Sequence, residues 1–227
     1  MTKTTTQSRA LAPTFVLSFG AGLVALILAL VLGGGAAAST LGDAGDVVRF
    51  GQPIAKLVFN FSMATAIGTL ALAAFALANK SHVLKRALDV AAVSSAIWAI
   101  SGAVYFLFTY LSVAGVAIGF DESFGKSLWI FATQIELGAS LAVNILIAVA
   151  LSLLSLTFRS LTATLFLAAA GIAALVPLAQ IGHAAGSTNH SLAVNAMGMH
   201  LVAVTLWVGG FAGLLLVRKS AAAEGED

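Results

Sequence analysis

Cysteine is absent from the chain, which excludes disulfides, thiolate metal sites and a cysteine nucleophile together. Any transition metal bound here must use histidine, methionine, carboxylate or backbone oxygen. Charge is almost as scarce. Only 9% of the 227 residues are Asp, Glu, Lys or Arg, against 60% hydrophobic, and the mean hydropathy is +1.04. No water-soluble core needs that much apolar surface, so the chain reads as all-α, a polytopic bundle of membrane helices. The apolar runs are continuous instead of alternating, which excludes a β-barrel. The net charge of +2 is small and dispersed, so no nucleic-acid partner is expected. There is no phosphate-binding glycine-rich loop. The chain is expected not to be an enzyme, with no catalytic residues and no energy source of its own.

Six runs are long enough to span a bilayer at roughly 20 residues each. They are Phe15–Leu32, Leu57–Ala78, Val90–Leu111, Leu128–Leu154, Leu161–Leu178 and Leu192–Val217. Short connections with ordinary breakers join them, and no linker is long enough to separate a second domain. Residues 1–227 are therefore read as one membrane domain, with 1–12 and 220–227 expected to be disordered. Lys3, Arg9, Lys80, Lys85, Arg86, Arg159, Arg218 and Lys219 fall on one side, eight of the eleven cations. By the positive-inside rule that side is cytoplasmic and holds both termini. Arg49, Lys56 and Lys126 lie outside, offset by Asp43, Asp46, Asp121 and Glu122. A competing reading makes Ala36-Ala37-Ala38-Ser39 a signal cleavage site, but the first apolar run exceeds the usual signal core.

The stretch from Gln180 to Gly210 holds three of the four histidines and two of the four methionines, with no Lys, Arg, Asp or Glu. Imidazole and thioether in a cation-free apolar setting are good soft-metal ligands. At about 100° per residue, Met197 lies about 20° and His200 about 80° from His190. Met199 falls on the opposite side, so Met197 is preferred as the working methionine. His190 and His200 are about 15 Å apart along the helix, too far to share one ion, which suggests a path with His190 at its mouth. His183 follows Pro177, which frees a backbone carbonyl in the last turns of the fifth span.

Elsewhere, Thr133, Glu136, Ser140 and Asn144 form one stripe if the fourth run is a single helix. Glu136 is then the only acid deep in any span, a costly placement that marks counter-charge or proton exchange. Asn60 and Met63 share a face of the second run. Plainer readings stand beside these. His200 can be an interhelical hydrogen-bond donor, His190 a helix cap, and Glu136 a protonated acid joining helices. Met63 and Met199 can be core filler, and His82, among Lys80, Lys85 and Arg86, reads as surface. Gly209 and Gly213 form a GxxxG face for close packing. Trp98, Trp129, Trp207, Tyr105 and Tyr110 read mostly as interfacial anchors or packing.

Gly182-His183-Ala184, followed by Met199-His200-Leu201 and Trp207-Val208-Gly209-Gly210, resembles the copper resistance protein D (CopD) family. Its members carry a GHA-type element at one helix end and an LH-type helix ending in W-x-G-G. The resemblance implies an inner- or plasma-membrane, multi-pass protein that moves copper from the outer face inward, with His183 and His200 as copper ligands. Family members usually have more spans than six, which points to a short form or to the CopD-like part of a fusion with a cytochrome c oxidase assembly domain. Implied partners are the copper ion, the lipid bilayer, and an outer-face copper donor or an oxidase assembly factor. Met197 and Met199 are additions from the residues alone, and they suit copper(I). Two other functions compete with copper handling: a b-type haem protein with histidine axial ligands, and a non-catalytic membrane assembly subunit.

Overall fold

The computed structural model describes residues 11–35, 37–38, 42–79, 81–181 and 190–224, with 11–18, 190–191 and 219–224 as backbone only. The described residues form α1 (Leu11–Leu32), α2 (Asp46–Ala76), α3 (His82–Ala114), α4 (Glu122–Gln134), α5 (Glu136–Thr157), α6 (Leu161–Ala173), α7 (Leu175–Gln180) and α8 (His190–Glu224). No strand occurs among them. Local chemistry sets many of the ends. Ser81, Asp121 and Ser160 each accept the backbone N–H three residues on, capping α3, α4 and α6. Gly115 ends α3 in the left-handed region, φ 63°, with its N–H on the Leu111 carbonyl.

Five segments are long and apolar enough to cross a membrane: Asp46–Ala76, His82–Ala114, Glu136–Thr157, Leu161–Gln180 and Leu192–Arg218. The chain is thus a multi-pass membrane protein. The first expected span corresponds to α1, which is apolar throughout, but its described side chains cover only Phe19–Leu32, short of a full crossing. Lys3, Arg9 and Lys80, three of the cations that orient the bundle, lie outside the described residues.

The bundle is built around α2, not around the histidine-bearing stretch. Phe59, Met63, Ile67 and Leu70 of α2 are buried against Leu84, Leu88 and Trp98 of α3. Leu141 and Leu151 of α5, Leu167 of α6 and Val217 of α8 complete the same core. In lipid such contacts hold by close packing, since the tails are as apolar as the side chains. The α2–α8 join shows how. A Cβ on Gly209 would overlap the Ala64 carbonyl, and one on Gly68 would overlap the Gly209–Gly210 peptide. One on Gly213 would strike the Thr69 hydroxyl. The expected GxxxG face therefore meets a second small pair, Ala64 and Gly68, and the matching order of contacts makes the two helices parallel.

The fourth run departs from expectation. It is not one helix: α4 stops at Gln134, Ile135 is extended (φ −98°, ψ 122°), and α5 begins at Glu136. Gly138 permits the elbow, because a Cβ there would overlap the Phe131 carbonyl. Phe131 is instead drawn into a small aromatic cluster with Tyr110, Phe106 and Val48. The Thr133–Glu136–Ser140–Asn144 stripe is accordingly broken. Thr133 belongs to α4, where its hydroxyl donates to the Trp129 carbonyl at 2.8 Å. Glu136 is exposed in the first turn of α5, where a carboxylate meets the positive end of the helix dipole. It does not stand deep inside a span.

Candidate functional site

The soft side chains lie at the end of the bundle where α2, α5 and α8 begin. Arg49 pairs there with Asp43 at 3.4 Å and with Asp46, and Lys126 pairs with Glu122 at 2.6 Å. Lys56 sits 5.9 Å from the centre of the Tyr105 ring. The Asp121 carboxylate caps α4: it accepts the Phe124 N–H at 2.7 Å and the Ser123 hydroxyl at 2.8 Å. Those two bonds, the Phe124 amide foremost, hold its pKa below the ordinary aspartate value. At this end Arg49 and Lys126 are thus matched by carboxylates, and Lys56 sits beside an aromatic ring.

Between α7 and α8 at this end is a cleft of about 660 Å³. Ala179 and Gln180 form one wall, and Asn195, Gly198 and Met199 the other. Gly198 adds no side chain to that wall, and a Cβ there would make only an ordinary contact of 3.7 Å with the Ala179 methyl. Met199 is 76% exposed and lines the cleft, whereas Met197, 41% exposed, is not among its lining residues. Sequence reasoning set Met199 aside as filler and did not single out Gln180 or Asn195. The spacing of Gln180 from Pro177, three residues, was the available signal that its side chain ends the broken span.

The other expected site residues are scattered. His183 falls within 182–189, outside the described residues, and His190 begins α8 as backbone only. His200 is exposed and lies about 180° around α8 from Gly209, whose face is buried on α2. Asn60 and Glu136 are exposed, and Met63 is buried in the core at 3% exposure. Among the described residues no three His, Asp or Glu side chains gather into a metal-binding group.

Asn144 turns out to be a structural residue of the interior. It is fully buried, its Oδ1 accepts the Trp98 indole N–H at 2.8 Å, and its Nδ2 donates to the Ala174 carbonyl at 2.7 Å. Ala174 is the break between α6 and α7, three residues before Pro177, whose missing N–H leaves the neighbouring Ala173 carbonyl without its helical donor. The amide thus satisfies backbone at the kink that leads toward 182–189. Trp98, fully buried, is accordingly no interfacial anchor.

No curated protein and no solved structure significantly matches the chain. Residues 45–191 match the family described as copper resistance protein D-like, N-terminal domain. The matched segment takes in α2 to α7 and the Gly182-His183-Ala184 element, and stops before Met199-His200-Leu201. With more than half its length in that match and a multi-pass bundle of apolar helices, the chain belongs to the copper resistance protein D-like family.

Proposed function

We propose that this protein handles copper, capturing copper(I) at the outer face of the cell membrane and passing it inward. The observation that carries the reading is the family match over residues 45–191. The supply of donors agrees with it: with cysteine absent, imidazole and thioether are the soft ligands available, and copper(I) favours both. In this reading His183 and His200 are primary ligands, Met197 a third, and His190 the ligand at the mouth. Met199 joins them from the α7–α8 cleft. Because His190 and His200 are about 15 Å apart on one helix, the donors serve as successive stations, not as one cage. Glu136, at the same end, offers counter-charge or a proton for exchange, with Asn60 and Met63 as supporting groups along α2. Six spans with both termini cytoplasmic complete the arrangement. The role is binding and transfer, not catalysis, and a copper donor on the outer face or an oxidase assembly factor is the expected partner.

Copper bound per protein after loading with copper(I) tests this, comparing wild type with His183→Ala, His200→Ala and Met199→Leu. An absorption spectrum is taken on every sample. Copper in wild type, its loss in the histidine variants and no Soret band support the reading. Equal, negligible copper in folded samples would sink it in favour of an assembly role, and a Soret band would favour haem.

A further inference from the structure

The other end of the bundle, where α3 and α6 begin, carries a feature that copper handling does not use. A groove of about 440 Å³ runs between α2 and α3. Its walls are Val58 and Phe61 of α2 and Val90, Val93 and Ile97 of α3, flanked by α1 and α8. Arg86 and Asp89 stand at its end. From Arg86 to Ile97 is about 16 Å along α3, roughly half of a 30 Å hydrocarbon core. The groove therefore has the length of one leaflet. The α2 hydroxyls that line it are turned to their own helix: Ser62 donates to the Val58 carbonyl at 2.7 Å and Thr65 to the Phe61 carbonyl at 2.8 Å. They ask nothing of an occupant, and no histidine or methionine lines the groove.

The charges at the mouth are unequal. Asp89 is paired with Arg159 at 2.7 Å, and the same guanidinium donates to the Lys85 carbonyl. Arg86 is exposed and has no ion pair among the described residues. Lys85 adds a second exposed cation beside it on α3. We infer that this groove is a binding site for an anionic phospholipid, with one acyl chain between α2 and α3 and its phosphate on Arg86. An apolar slot one leaflet deep, opening beside an unanswered guanidinium in a membrane-spanning bundle, fits that molecule in length, polarity and charge.

Native mass spectrometry of the full chain in detergent, titrated with phosphatidylglycerol or with phosphatidylcholine of the same acyl chains, tests the site. Wild type is expected to retain one phosphatidylglycerol roughly fivefold more tightly than phosphatidylcholine, the worth of one cation near the surface. Arg86→Gln, an exposed position that leaves the core intact, should bring the two lipids level. Val93→Phe should weaken both by filling the slot, and circular dichroism checks that it folds. Inorganic phosphate should not displace the lipid. Equal binding of both lipids by wild type, a preference that survives Arg86→Gln, or displacement by inorganic phosphate would each overturn the assignment.

Discussion

The Trp98 indole donates to Asn144 at 2.8 Å, and the same Asn144 amide donates on to the Ala174 carbonyl, so one buried side chain ties α3 to α5 and α5 to the α6–α7 break. In the apolar interior the indole N–H in particular has Asn144 as its partner. Asn144→Leu strands the indole N–H and removes the bond to the Ala174 carbonyl, and should cost about 1–3 kcal/mol. Ser152→Ala, which removes one bond to the Ala92 carbonyl, should cost about 1 kcal/mol. Thermal unfolding in detergent, followed by circular dichroism, measures both. An Asn144→Leu variant as stable as wild type would show that the network holds nothing.

The small-residue seam makes a contrast between adjacent positions. Gly209→Ala drives a methyl into the Ala64 carbonyl, and α8 must separate from α2. Gly210→Ala is expected to be neutral, since its methyl would come no closer than 3.9 Å to the Gly68 carbonyl. Overpacking of this kind typically costs about 1–3 kcal/mol. The yield of monodisperse protein on size exclusion should fall for the first variant and hold for the second.

Acid should loosen α4. The folded Asp121 pKa lies below its unfolded value of about 3.9. The cap therefore contributes above that value and is lost as the pH falls through the lower folded one. Emission from Trp129, carried on α4, should shift as the pH falls below about 4. Asp121→Asn, which can cap without titrating, should abolish that shift while leaving the helix in place.

Arg159 joins the end of α5 to α3 through Asp89 and the Lys85 carbonyl. Its side chain is 32% exposed and that of Asp89 45%, so solvent screens the pair. Arg159→Gln should cost no more than about 1 kcal/mol, an effect that shrinks further in high salt. Unfolding midpoints at low and high ionic strength would reveal a larger role if the loss were salt-independent.

Much of the fold was legible because membrane spans announce themselves by length and apolarity. The third, fifth and sixth expected runs each fall within a helix or a helix pair, and the second overshoots the end of α2 by two residues. The break at Ile135 was not legible, because hydropathy passes through Phe131, Ile135 and Leu137 without interruption. What bends the chain there is the missing Cβ of Gly138, which matters only once the Phe131 backbone lies beside it. Trp98 was left between two readings for a related reason, since tryptophan is used both at interfaces and, with a partner for its N–H, inside. For the site, helical spacing puts Met197 and Met199 about 200° apart on α8. It did not tell which side meets the protein, because α8 is apolar all round. Phasing the helix from Gly209 would have settled that: nine residues back, about 900° of turn, His200 must face away from α2.

The α2–α8 seam has a further consequence. Where Ala64 and Gly68 meet Gly209 and Gly210, backbone touches backbone, with no titratable group at the contact to gain a proton or attract an ion. Acid can undo the Asp121 cap and salt can mute the Arg159 link, but neither has a handle on this join. The helix that carries Met197, Met199 and His200 is therefore fastened to the centre of the protein, at this seam, by close packing and not by charge. Its position should stay constant across conditions that alter the charge of everything around it.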